Sequence, residues 1–284
     1  DHSVRAVNTA LDQGINFFDT ADIYGLGEGE RILGEALGER RDEAIIASKF
    51  GVRVADGGTF YDNSPTRIRS ALEKSLRRLG TDHIDLYQIH YLDGRTPLDD
   101  VVAALQDLRD RGLVRWFGLS NVSRDETRAI RDVGETFVSF QNAYSLADRS
   151  NEHEIRSLTA GSALTPMTWG SLGQGILTGK YASSSSFGPN DRRTRTVYRN
   201  FHGAGLEHSL RVVETLRQIA AEVGRSVPAV AIRWILDTLD GSVAIVGMKN
   251  VHQVMSNLEA FGWSLPVEAH NVLNDVSASR EAIA

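Results

Sequence analysis

Short apolar runs rich in β-branched and aromatic residues alternate with longer amphipathic stretches along nearly the whole chain. Strands separated by helices cannot pair as hairpins, so the pattern calls for parallel strands joined by helical crossovers. Seven runs read as strands: Ile15–Thr20, Ala44–Lys49, Ile84–His90, Val114–Ser120, Phe137–Asn142, Ala163–Trp169 and Val243–Gly247. Most are continuously apolar, as expected where helices cover both faces of a sheet. Helices are expected at Ser3–Gln13, Glu28–Leu37, Pro65–Leu79, Leu98–Arg111, Arg124–Val133, Glu152–Leu158, Leu206–Val223, Val227–Leu236, Val251–Glu259 and Val267–Ala278. Proline at or just before a helix start supports two of these, at Pro65 and Pro97. A chain of 284 residues suits one (β/α)8 barrel, which takes about 250 residues. The expected architecture is therefore a TIM barrel spanning residues 1–284 as a single domain, with its first strand absent. The alternative is an open doubly wound sheet. Ser183–Arg199 has neither period nor apolar face and is expected to be a long mobile surface loop.

Composition narrows the function classes. There is no cysteine, which removes thiolate chemistry, disulfides and cysteine-bound metal. A formal charge of -6 gives no global attraction to nucleic acid or anionic membrane. No apolar run is long enough to span a bilayer, and the first residues lack a signal-peptide pattern, so a cytoplasmic location is expected. His83, His90 and His153 show no metal-ligand spacing, and no metal is expected.

In such barrels chemistry gathers at the C-terminal ends of the strands. The polar residues there are Asp19, Thr20 and Asp22 with Tyr24 just beyond, then Ser48-Lys49, His90-Tyr91, Ser120-Asn121, Gln141-Asn142, Thr168-Trp169 and Gly247-Met248-Lys249. Lys49 is one of only four lysines, with Lys74, Lys180 and Lys249. Taken singly each residue has a plain structural use. Asp19 suits a helix cap, Tyr24 a loop anchor, Lys49 an outward-snorkelling rim cation and His90 a satisfied core histidine. Together on successive strand ends they make a proton-donating group. Asp19 is a counter-ion for Lys49, and a cation beside Tyr24 stabilises the phenolate formed when it gives up its proton. His90 can orient a carbonyl oxygen. This set supplies no hydride, so a reductase built on it needs a nicotinamide cofactor. A lysine inside a β/α barrel also permits Schiff-base chemistry, though a paired ammonium is a poor nucleophile. Gly25, Gly27 and Gly29 lack the spacing of a dinucleotide fingerprint and read as a flexible loop beside Tyr24.

These residues fall within stretches that resemble the aldo-keto reductases, in particular bacterial branches similar to potassium-channel β-subunits. GINFFDTADIYGLGEGERILGEAL resembles the stretch around the family's catalytic Asp and Tyr, IIASKFG the strand of its catalytic Lys, and RIRSALEKSLRRLGTDHIDLYQIHYLDGRTPLDD the helix and strand leading to its catalytic His. GLVRWFGLSN, SFQNAYSL, GSLGQGILTGKY and IVGMKNVHQVMSNLEA follow in the family's order. The resemblance implies an NADPH-dependent oxidoreductase that moves hydride to a carbonyl of an aldehyde, ketone or keto-sugar, including a nucleotide sugar. Tyr24 would be the general acid, tuned by Lys49 and Asp19, with His90 orienting the carbonyl. Asn121 and Gln141 would hold the nicotinamide carboxamide with Ser120 and Asp19 nearby, and Trp169 would stack on the ring. Gly170, Leu172 and Gly175 would let the backbone approach the pyrophosphate, with Lys180 near that path. Gly247, Lys249, Gln253 and Asn257 would serve the adenosine end, Lys249 facing the 2′-phosphate of NADPH. Met248 and Val251 depart from the family's pattern there, and the N-terminal hairpin with which the family's barrel opens is expected to be absent ahead of the missing first strand. The arginines of the long loop, Arg192, Arg193, Arg195 and Arg199, suit either a solvated run or an anion clamp. Phe60, Tyr61, Tyr91 and Leu92 are expected to line the mouth. The competing implication is an NADPH-binding module of the channel-subunit kind, without turnover.

Overall fold

A computed structural model describes residues 2–55, 57–133, 136–160 and 162–278. Among the described residues nine strands and ten α-helices follow one another: α1 (His2–Asp12), β1 (Phe17–Asp19), α2 (Glu28–Leu37), β2 (Ile45–Phe50), β3 (Val52–Ala55), β4 (Gly58–Tyr61), α3 (Pro65–Leu79), β5 (Ile84–Ile89), α4 (Leu98–Asp110), β6 (Val114–Ser120), α5 (Thr127–Asp132), β7 (Ser139–Ala143), α6 (Glu152–Ala160), β8 (Thr165–Trp169), α7 (Gly203–Val223), α8 (Val227–Thr238), β9 (Val243–Ala244), α9 (Val251–Leu258) and α10 (Val267–Ser277). Seven strands form one sheet in the order β1-β2-β5-β6-β7-β8-β9, and every registered pair in it is parallel. The seven expected strands and ten expected helices are all present, with ends shifted by a few residues.

The chain groups into two compact units. One holds the chain up to Gln141, with Ser157–Thr165 and Met248–Val254; the other holds Asn142–Arg156, Pro166–Gly247 and the chain from Met255 onward. In the first, the strand interiors are almost wholly buried: Ile46, Ala47, Phe50, Ile84, Tyr87, Ile89 and Phe117 are all sealed from solvent. Helix α3 shows how local sequence sets a helix here. The Ser64 side chain accepts from the Arg67 amide, Pro65 opens the first turn, and Gly80 closes the helix in the left-handed region. Its buried face is Ile68, Ala71, Leu72, Ser75 and Leu79. Helix α2 lies so close to α3 that a Cβ on Gly34 would stand 2.3 Å from the Leu79 carbonyl oxygen.

In the second unit α7 packs against α8 and α10. Tyr144 stacks on Trp234 at 5.4 Å, and the Trp234 indole donates to Asn274 at 3.0 Å. The stretch 183–199 carries only a short 3₁₀ turn, Arg192–Thr194, and a second turn, Arg199–Phe201, ends it. Arg193 pairs with Asp191 and lies over the rings of Tyr181, Phe187 and Phe201. That arginine is therefore an internal anchor of the loop rather than a free clamp.

The antiparallel pair β3–β4 was not expected. The run VRVADGGTFY has the marks of a hairpin, two β-prone segments around Asp-Gly-Gly, but it follows directly on the apolar run of β2.

Candidate active site

Lys49 is completely buried near the end of β2, and its ammonium is 2.5 Å from Asp19 Oδ2. It also donates to the Thr20 carbonyl at 3.0 Å. A buried ammonium is tolerable only when paired and hydrogen-bonded, and these partners meet that need. The other Asp19 oxygen accepts from Gln88 Nε2 at 3.0 Å and Gln141 Nε2 at 2.9 Å. The structure thus brings one carboxylate together with an ammonium and two amides from four different strands. Gln88 was missed in the sequence. It lies two residues before His90 on β5, hence on the same face, and a polar residue inside an otherwise apolar strand was the available signal. Gly118 makes room for it, since a Cβ there would meet Gln88 Cγ at 3.0 Å.

Tyr24 opens a 3₁₀ turn after β1, with its ring centroid 5.1 Å from the Lys49 ammonium and 5.9 Å from the His90 ring, edge to face. Unlike Lys49, Tyr24 is well exposed, at 41%. His90 follows β5 and is buried; burial, then the nearby Lys49 charge, pull its pKa down to about 3, so the ring is neutral. A neutral imidazole donates from one nitrogen only. Its Nδ1 is buried with no hydrogen-bond partner among the described residues. Tyr91 stacks on His90 at 5.3 Å and on Tyr61 of β4 at 4.7 Å, so rings run from Tyr24 to the hairpin. Phe60 faces Arg53 instead.

Around these groups Ser120 donates to the Gln141 carbonyl, and the Asn121 side-chain amide donates to the His90 carbonyl at 3.1 Å. Asn121 has a left-handed backbone, φ 55°, which asparagine tolerates better than most residues. Behind the group lies a second buried polar layer that the sequence reading did not single out. Asp22 pairs with Arg67 at 2.8 Å, and burial outweighs that arginine and raises the Asp22 pKa to about 6. Glu30 accepts from Ser48 and Arg78.

Lys249 and Gln253 also belong to this unit. Lys249 is exposed just before α9 and forms no ion pair among the described residues, while its backbone amide donates to Gln253 Oε1 at 2.7 Å. In the second unit, Trp169 ends β8 and Gly170 follows it, and both line a cleft of about 1390 Å³ together with Gln174, Tyr198, Arg199 and Arg211. Leu172 packs against Ala229, Ile232 and Ala260, so it is at least a core residue. Gly175 lies in the 3₁₀ turn Gly173–Thr178. Lys180 is exposed over the Tyr181 ring, Gly247 is exposed, and Asn257 is buried in α9. Among the described residues no group of three or more acidic or histidine side chains is placed to hold a metal ion, and no helix is long and apolar enough to cross a membrane.

The Aldo/keto reductase family matches the chain over residues 1–278, and the chain belongs to that family of oxidoreductases. Its relatives include the aldo-keto reductase YhdN of Bacillus subtilis, 33% identical over 277 residues covering 96% of this chain and 83% of the relative. An NADH-specific methylglyoxal reductase of Escherichia coli is 29% identical over 285 residues, 94% of this chain and 85% of that protein. The structure of a glycerol dehydrogenase from Gluconobacter oxydans superposes with a TM-score of 0.87 at 35% identity, covering 96% of this chain and 84% of that one. The fold is thus of the (β/α)8 class expected from the sequence, and members of this family use nicotinamide cofactors and act on small carbonyl compounds.

Proposed function

We propose that the protein is an NADPH-dependent carbonyl reductase acting on an aldehyde, ketone or keto-sugar, with Tyr24 as general acid. The observation that carries this reading is the meeting of Asp19, Lys49, Tyr24 and His90 within one unit of the fold, although they span more than seventy residues of sequence. The cofactor, when bound, supplies the hydride. The protein's own residues handle the oxygen. Neutral His90 donates a hydrogen bond that aligns the carbonyl, and Tyr24 gives up its proton to the oxygen as negative charge develops there. Lys49, held in place by Asp19, faces the Tyr24 ring and stabilises the phenolate left behind. Asp19 itself is fixed by Gln88 and Gln141, so the ammonium cannot swing away to another partner.

In the first unit the polar groups present suit the nicotinamide end of a dinucleotide. Ser120, Asn121 and Gln141 bring amide and hydroxyl groups to the strand ends beside His90. Trp169, Gly170, Leu172, Gly175 and Lys180 are assigned to the ring face and pyrophosphate, and Trp169 and Gly170 border an open cleft. Gly247, Lys249, Gln253 and Asn257 are assigned to the adenosine end. Preference for NADPH rests on Lys249, an exposed ammonium with no ion pair among the described residues, whose charge suits a phosphate. A relative described as NADH-specific shows that family membership alone does not decide this.

The test is Tyr24→Phe. NADPH oxidation across a panel of aldehydes, ketones and nucleotide keto-sugars should fall at least about 100-fold, the lower end for loss of a general acid. Cofactor affinity, read from fluorescence titration, should be unchanged. Near wild-type turnover by this variant would remove Tyr24 from the chemistry.

A further inference from the structure

The turn that carries Tyr24 is held in an unusual backbone state. Gly25 has φ 59°, Leu26 φ 57° and Gly27 φ 100°, three left-handed residues in succession. Leu26 takes this conformation while its side chain is 78% exposed, so packing gives nothing back for it. Such strain persists only where the surroundings impose it, and it gathers at functional sites. The imposing contact is Arg78. Its side chain lies so close across Gly27 that a Cβ there would stand 2.6 Å from Arg78 Cδ and 2.7 Å from Nε. Arg78 Nε in turn donates to Glu30 Oε2 at 2.7 Å. The other oxygen of Glu30 accepts from Ser48 Oγ at 2.5 Å. Glu30 and Ser48 are both completely buried, and Ser48 directly precedes Lys49 on β2.

We propose that Glu30 and Arg78 form a positioning clamp that fixes the Tyr24 turn against the strand carrying Lys49, so that the phenol and the ammonium keep the relative placement needed for proton donation. The inference rests on the reading of Tyr24 as the proton donor. Neither clamp residue is placed to touch a substrate; both act through Tyr24 and Lys49. A buried ion pair is a weak source of stability compared with apolar residues of the same shape. What this one supplies is direction: one carboxylate accepts from the strand of Lys49 on one side and from the arginine spanning the Tyr24 turn on the other.

The experiment is a cycle of variants in the full chain: Glu30→Gln, Arg78→Met and Ser48→Ala, each alone and with Tyr24→Phe. Thermal unfolding identifies the folded variants. In the Tyr24 background the clamp variants should lower kcat about 10-fold or more, since misplacement of a reacting group by an ångström can cost 100-fold. KM for the carbonyl and cofactor affinity should change less than about 3-fold on that view, because binding precedes the step the clamp serves. The solvent deuterium isotope effect on kcat should rise as proton transfer becomes slower. In the Tyr24→Phe background the same changes should have no further effect on the residual rate, whereas a purely structural defect would lower both backgrounds alike. Arg78→Lys should restore part of kcat. If Arg78→Met does not fold, Ser48→Ala, which removes one hydroxyl, carries the test with a smaller shift in the same direction. Folded clamp variants with wild-type kcat, or with equal losses in both backgrounds, overturn the proposal while an inactive Tyr24→Phe keeps the underlying reading. An active Tyr24→Phe overturns both.

Discussion

His90 stays neutral in the folded protein because burial, and then the Lys49 charge, hold its pKa near 3, against 6.5 for the free side chain. In the unfolded chain it takes up a proton below about pH 6.5, while the folded protein refuses it. Its contribution to stability is therefore whole above pH 6.5 and is lost as pH falls toward 3. At pH 5 the loss is on the order of 2 kcal/mol at 1.36 kcal/mol per pH unit. Urea unfolding of wild type and His90→Asn at pH 8 and pH 5 should show the variant losing about 2 kcal/mol less between the two. An identical pH dependence in both proteins would contradict a neutral His90. The identity of this residue, like that of Asp19, Tyr24 and Lys49, was readable from polar residues placed just after apolar strands. The layer behind them was not. Gln88, Glu30 and Arg78 lie inside strands and helices, where a single sequence does not separate a buried polar partner from a solvated one. Glu30, in particular, reads as an ordinary first-turn acid of α2, suited to the helix dipole, yet it is fully buried and turned toward Ser48 and Arg78.

At the scale of elements, periodicity located the helices well because each buries a clear stripe, as in α3 with Ile68, Ala71, Leu72 and Leu79. Strand β9 shrank to Val243–Ala244: the Ile245 amide still bonds to the Thr168 carbonyl, but its own carbonyl accepts from the Ser171 hydroxyl. The hairpin β3–β4 escaped because its residues are mostly exposed, so no apolar alternation announced it. How closely two helices approach was also hidden. Gly34 is a glycine in mid-helix, which costs about 1 kcal/mol relative to alanine in propensity alone. It is explained by the Leu79 carbonyl, 2.3 Å from where its Cβ would be. Backbone cannot rotate away as a side chain can, so Gly34→Ala must push α2 off α3. Overpacking costs roughly 1–3 kcal/mol, and a contact this short belongs at the upper end, outweighing the propensity gain. Because α2 begins one residue beyond the Tyr24 turn, kcat should fall along with the urea midpoint. A Gly34→Ala protein as stable as wild type would mean that the two helices are not in contact there.

For the molecule as a whole, the residues assigned to the cofactor run from Asp19 to Asn257, nearly the length of the described chain. A ligand that needs so many of them ordered binds the folded state and not the unfolded one, so its affinity is returned as stability. At 100 times its dissociation constant NADPH should add about 2.7 kcal/mol. For a chain of this length that is a rise in Tm of roughly 5 °C, taking about 2 °C per kcal/mol. The size of the shift distinguishes the two nicotinamide dinucleotides without any knowledge of the substrate. If Lys249 holds the 2′-phosphate, NADH at the same concentration should give a smaller shift, and Lys249→Met should bring the NADPH shift down toward the NADH value while leaving the latter alone. Lysine is a compact point charge rather than a planar fork, so the gap should be moderate, and Lys249→Arg should widen it. Thermal unfolding with each nucleotide, on wild type and both variants, measures all of this in one series. Equal shifts for NADPH and NADH in the wild type would take the phosphate contact away from Lys249.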